Sequence, residues 1–186
     1  MDKYFIFVSS SKLDLLEIER LAYGHEDLYL PRREEEGVIV MRGPVEMEEK
    51  IARYLSTLRY TKAMVLSSPY ADSFQYELAK NHLSYFPNQL VFPSDLIFKR
   101  LSFADVSFYP ELKRYFESVD PIALEAAGTY LRCGCNGLLA SSTLYVHRNT
   151  FNYRLNAFIR ESGLDIRDYH NALLLEIYFQ LSPRFS

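Results

Sequence analysis

Val146-His147-Arg148-Asn149-Thr150-Phe151-Asn152-Tyr153-Arg154-Leu155 lies late in the chain, and its pattern continues through Asn156 to Ser162. Phe151, Leu155, Phe158 and Ile159 recur at i, i+4, i+7 and i+8, the spacing of an apolar stripe along one face of a helix. Gly163 follows where a left-handed C-cap belongs, so the segment predicts a helix from about His147 to Ser162. The other face carries Arg148, Asn149, Asn152, Asn156 and Arg160. No acidic residue falls between His147 and Arg160, although the whole chain has a formal net charge of −3. Arginine and asparagine pair bidentately with guanine and adenine edges in the major groove. A merely solvated helix face would show the same residue types, so the pattern alone leaves both readings open.

Working outward, Asn136 stands where it can cap a short helix over about Gly137–Leu144. A break of some three residues then leads into the longer helix. A short helix, a tight turn and a second helix whose start presents side chains to a groove is the helix-turn-helix arrangement. Upstream, Pro121 suits the first turn of a helix with Leu124, Ala127 and Leu131 on one side. Downstream, a last helix from Tyr169 to Leu181 is apolar nearly all round, which calls for burial under its neighbours or against a second subunit.

The motif Val146–Leu155, followed by Gly163-Leu164-Asp165 and a leucine-rich last helix with Leu173, Leu174, Leu175, Ile177 and Leu181, resembles the C-terminal helix-turn-helix of the purine-catabolism and sugar-diacid regulator (PucR/CdaR) family. The resemblance runs from about Ala123 to Leu181. It implies a DNA-binding set of His147, Arg148, Asn149, Thr150, Asn152 and Arg154. His147, Arg148 and Asn149 would meet bases or phosphates at the helix start, and Asn152 would lie in the groove. Thr150 would contact the DNA backbone or steady the turn, and Arg154 would bind a phosphate or an internal acid. Tyr153 and Leu155 read as packing residues. The chain departs from the family pattern at Gly137-Leu138-Leu139, where a polar cap and an acid are usual, and at Ser141, where a small alanine is usual.

The first hundred residues alternate between strand-like and helix-like segments. Tyr4–Val8, Asp27–Leu30 (ending at Pro31), Gly37–Met41, Ala63–Leu66 and Leu90–Phe92 have strand character, and a sheet of about four strands is expected. Pro44 reads as the start of a helix through Leu58, and Asp72 or Ser73 as the cap of the next. The expected organisation is an α/β domain with a small mixed sheet over residues 1–104, a helical linker over 105–120 and an all-α helix-turn-helix domain over 121–186. The front part loosely resembles the degenerate cyclase-like (GGDEF-like) domain that precedes this helix-turn-helix in the same family. The metal-binding turn of true cyclases would fall near Arg32-Arg33-Glu34-Glu35-Glu36-Gly37, which lacks the motif and reads as a solvated hairpin tip.

Composition bounds the rest. Hydrophobic residues at 48% and charged residues at 24% exclude a disordered chain. No apolar run approaches the ~18 residues of a membrane span, and the N-terminus does not read as a signal peptide. Cytoplasmic location is therefore expected. Cys133 and Cys135 are too few for a disulfide framework or a metal site. His25, His82 and His170 read as structural or surface residues. No phosphate loop, nucleophile elbow or zinc-protease motif is present. No cofactor, metal or enzymatic activity is expected. Residues 121–186 hold six Lys and Arg against five Asp and Glu, so phosphate binding would gain from a dimer presenting two helices. The expected function is a dimeric transcriptional regulator that binds double-stranded DNA and answers a small-molecule effector. The alternative is a non-enzymatic sensing or protein-interaction protein whose helix-turn-helix has diverged from DNA binding.

Overall fold

The computed structural model describes residues 2–11, 14–21, 29–33, 38–44, 46–69, 71 and 73–182. His25, Asp27, Glu34–Gly37 and Asp72, which figure in the expectations above, lie outside them. The chain divides into two compact units, Met1–Leu96 and Ile97–Ser186.

The first unit is built on a five-stranded sheet in the order β2-β3-β1-β4-β5. The strands are β1 (Asp2–Ser9), β2 (Tyr29–Arg33), β3 (Val38–Pro44), β4 (Ala63–Ser68) and β5 (Gln89–Val91). β1 pairs antiparallel with both β3 and β4, β2 pairs antiparallel with β3, and β5 joins β4 in parallel. With α1 (Leu15–Leu21) and α2 (Met47–Thr57) in the connections, the first four strands form a split β-α-β-β-α-β unit.

The run Phe5-Ile6-Phe7-Val8 is apolar at every position because β1 is covered on both faces. Phe5 and Phe7 meet Ile18 of α1 and Met47, Ile51 and Leu55 of α2. Ile6 and Val8 meet Leu78 and Ala79 of α3 (Ser73–His82), together with Leu96 of α4 (Pro93–Leu101). His82 is buried, with Nδ1 2.7 Å from the Leu78 carbonyl.

Three expectations change here. The sheet has five strands where about four were expected, because the three-residue β5 is long enough to extend the edge. β2 runs through Pro31, which pairs with Ile39 beside a register shift. Proline is tolerated at an edge because the missing N–H would face away from the sheet. Pro44 closes β3 and the helix begins at Met47.

The second unit is helical: α5 (Tyr109–Glu117), α6 (Pro121–Arg132), α7 (Gly137–Thr143), α8 (Arg148–Ser162) and α9 (Tyr169–Leu181). The segment 105–120, expected as a linker, is built into it. Leu112, Phe116 and Val119 are core residues alongside Ala127, Phe151 and Phe158. The Arg100 guanidinium and the Ser107 amide both donate to Asp105, at 2.8 and 2.9 Å. These donors hold its carboxyl down at about 2.

Pro121 takes the first turn of α6, where Asp120 Oδ1 accepts from the amides of Ile122 and Ala123. α9 is buried within its own unit, since Leu174, Leu175, Ile177, Tyr178 and Phe179 all belong to this core. Among the described residues no helix is long and apolar enough to cross a membrane.

Candidate nucleic-acid interface

Local chemistry at each helix end fixes the path from α6 to α8. α6 closes with Gly134 in the left-handed region, its amide donating to the Leu131 carbonyl and the Cys135 amide to the Tyr130 carbonyl, the two bonds of a Schellman motif. The Asn136 side chain then accepts from the amides of Leu138 and Leu139 and starts α7. The α7 end repeats the device. Tyr145 takes φ 52°, its amide donates to the Ser142 carbonyl, and the Val146 amide donates to the Ser141 carbonyl. Glycine usually occupies that position, because a side chain at positive φ crowds its own backbone. Tyr145 is 96% exposed, so no packing of the ring accounts for its presence.

α8 starts at His147, whose Nδ1 accepts from the Asn149 amide at 3.2 Å. Its inner face is anchored by Phe151, which is fully buried with its ring centroid 6.3 Å from that of Tyr130. Leu155 and Phe158 continue that face. At the far end Gly163 takes φ 65°, and Ser162 Oγ donates to the Phe158 carbonyl while accepting from the Leu164 amide. Leu164 plugs the core. Asp165 accepts two bonds from the Arg167 guanidinium, at 2.7 and 2.6 Å, and a third from the Arg167 amide. The guanidinium draws the Asp165 carboxyl below the usual carboxylate range and is itself raised in return. The Asp168 side chain caps α9. The Gly-Leu-Asp step is thus a structural hinge pin between α8 and α9.

His147, Arg148, Asn149, Thr150 and Asn152 are all exposed, and Arg154 is half-buried. They do not form one stripe. Asn149, Asn152, Tyr153, Asn156 and Arg160 follow i, i+3, i+4, i+7 and i+11, and each is exposed. Thr150 and Arg154 lie on a neighbouring stripe with Ala157, which is buried. Among the described residues neither Arg148 nor Arg154 has an acidic partner, whereas Arg160 reaches Glu161 at 3.9 Å.

Tyr153, expected to pack, is 69% exposed and stands in the middle of the outward stripe. Its i+4 spacing from Asn149 carried that information, and its aromatic character obscured it. Leu155 packs as expected. Leu138 and Leu139 are 68% and 52% exposed on α7. Ser141, at the position where a small alanine was expected, is buried with its hydroxyl bonded to the Leu138 carbonyl. Cys133 and Cys135 are free thiols. Among the described residues no group of His, Cys, Asp or Glu could hold a metal ion.

A short capped helix, a tight turn and a longer helix with an exposed, acid-free start make a helix-turn-helix. Residues 123–181 match the PucR C-terminal helix-turn-helix domain. The match takes in nearly all of α6 and α7 to α9, and with them every residue of the expected DNA-binding set. The chain is 38% identical over 52 residues to the carbohydrate diacid regulator of Escherichia coli (strain K12), a stretch covering 28% of this chain and 14% of that protein. It is 40% identical over 45 residues to the uncharacterized protein YxkF of Bacillus subtilis (strain 168), covering 24% of this chain and 15% of that one. The matched stretches thus span about a seventh of the curated relatives. Among solved structures, a regulator of polyketide synthase expression from Bifidobacterium adolescentis aligns over 97% of this chain and 80% of its own, at 15% identity and a TM-score of 0.48. The stretch that matches the PucR C-terminal helix-turn-helix domain thus falls on α6–α9.

Proposed function

We propose that this protein is a cytoplasmic transcriptional regulator that binds double-stranded DNA as a homodimer, with α8 as the recognition helix. The observation that carries the reading is the exposed, acid-free first half of α8, capped by His147 and fixed against α6 by Phe151. Arg148 stands in the first turn, where backbone amides point outward and attract an anion. His147, Arg148 and Asn149 meet phosphates or base edges at the groove wall, Asn152 lies deeper, and Thr150 and Arg154 contact the backbone of the flanking strand. The low net charge of the unit makes each cation count, and two copies double the number of phosphates neutralised.

The sheet unit acts as a degenerate cyclase-like sensory or dimerising domain, and it receives the small-molecule effector. Its split β-α-β-β-α-β topology supports this reading. The protein performs no catalysis. A second reading, in which the helix-turn-helix binds another protein, draws support from the exposed Leu138 and Leu139.

Fluorescence anisotropy with duplexes from upstream of the protein's own gene, across a salt series, separates the two. Specific binding that weakens steeply with salt, and falls by tenfold or more in Arg148→Ala, supports DNA reading. Binding no tighter than to a random duplex at low salt, by folded protein and across a panel of candidate effectors, refutes it.

A further inference from the structure

The outward stripe of α8 draws three of its residues from the motif that locates it and runs just past the motif's end. Asn149, Asn152, Tyr153 and Asn156 stand together at i, i+3, i+4 and i+7, directly opposite the buried Phe151, Leu155 and Phe158. The distance from Asn149 to Asn156 is about 10 Å along the helix at ~1.5 Å per residue. That length spans roughly three base pairs. The stripe contains three carboxamides and one phenol. Between Asn149 and Asn156 it has no carboxylate to accept from the cytosine amine and no arginine; Arg154 lies on the neighbouring stripe, and Arg160 continues this one a turn beyond Asn156.

Carboxamides pair bidentately with adenine N6 and N7, guanine is the usual partner of arginine, and the thymine C5-methyl is read by apolar contact. Tyr153 supplies the apolar element. At 69% exposed, with no aromatic or cation partner among the described residues, its ring adds little to the fold. Tyrosine on a surface that becomes buried adds large contact area at small entropic loss.

Resting on the DNA-binding reading above, we propose that Tyr153 is a specificity-determining residue whose ring packs on a thymine methyl in the major groove. Asn149, Asn152 and Asn156 flank it on adenine edges, so the centre of the recognised half-site is a run of A·T pairs.

The test uses the full chain. Wild type and Tyr153→Ala are each used to select binding sites from a random duplex library, and each thymine of the wild-type site is then replaced in turn by uracil, which removes only the methyl group. A·T pairs are expected at adjacent positions of the wild-type half-site. One uracil replacement is expected to weaken wild type about fourfold, the equivalent of one buried methyl-sized group. The same replacement leaves Tyr153→Ala unchanged, and Tyr153→Phe keeps the wild-type sensitivity. Melting temperature and salt dependence are expected to be equal in all three proteins, because the ring is exposed and uncharged.

The inference is overturned if Tyr153→Ala selects the same site with the same affinity. It is also overturned if wild type tolerates every uracil, or if the selected centre is G·C. In each of those cases wild type still binds DNA and the regulator reading stands. A wild-type protein that binds no duplex removes both.

Discussion

Helices α8 and α9 are consecutive, 15 and 13 residues long, and both lie against α6. α9 turns Leu174, Leu175, Ile177, Tyr178 and Phe179 into the core, and Leu173 and Leu181 pack at its margin. α8 also turns a full stripe inward, through Phe151, Leu155 and Phe158, yet it leaves Asn149, Asn152, Tyr153 and Asn156 facing solvent. α9 is scaffold on almost every side. α8 is scaffold on one side and exposed on the other. Within one small core, burial explains most of α9, leaving Tyr169 and Gln180 exposed, and only half of α8. The unexplained half is where function should be sought.

That comparison can be broken by substitutions that should act on fold alone. The largest effect is expected from Phe151→Ala on the inner side of α8. Removing a fully buried aromatic should destabilise the helical unit by about 3–5 kcal/mol, read as a large fall in the midpoint of urea unfolding. A loss near zero would mean that α8 is not anchored by this face.

Gly128 in α6 tests α9 in the same way. A Cβ there would lie 2.6 and 2.8 Å from atoms of the Phe179 ring, so Gly128→Ala should destabilise by about 1–3 kcal/mol through overpacking. Phe179→Leu in the same chain should recover part of that loss. If the single variant melts with wild type, the α6–α9 approach is looser than the structure has it.

A smaller effect of opposite sign is expected at the turn. Tyr145→Gly should stabilise the unit by up to about 1 kcal/mol, since the left-handed backbone is strained for tyrosine and the exposed ring loses no contact. A fall in melting temperature would show that the ring has a structural role after all.

The smallest effect is expected at Asp165. Its carboxyl is held low in the folded state by the Arg167 guanidinium. Its contribution is therefore fully present above the unfolded value of ~3.9 and is lost as pH falls through the depressed folded value. Arg167 is 60% and Asp165 32% exposed, so solvent screening should keep the gain below about 1 kcal/mol. Asp165→Asn should lower stability slightly at neutral pH and flatten its decline between pH 4 and the acid limb, as followed by thermal melting across pH.

Much of the helical unit was legible because its signals are local. Pro121, Asn136 and Gly163 mark helix ends by side-chain and backbone chemistry that acts within a few residues, whereas the Asp120 and Asp168 caps were not read. Less was legible where long-range pairing decides. Pro31 stays in β2 only because that strand lies at an edge, and Pro44 belongs to β3 because β1 pairs with it. Residues 105–120 looked like a linker, since nothing in the sequence shows that Leu112 and Phe116 share a core with Phe151. The candidate site divided the same way. The motif located α8, but the spacing that sets Tyr153 outward competed with the usual expectation that an aromatic residue is buried.

The His147 cap has a consequence for what the ring can recognise. Nδ1 is occupied as an acceptor by the Asn149 amide, so in the neutral ring the proton sits on Nε2. The bond that starts the helix therefore also selects the tautomer, and the free edge of this exposed imidazole is a donor only. Such an edge can address a phosphate oxygen, a purine N7 or a thymine O4, and it has nothing to offer the exocyclic amines of adenine and cytosine. One backbone hydrogen bond thereby gives the residue that caps α8 a fixed hydrogen-bonding polarity.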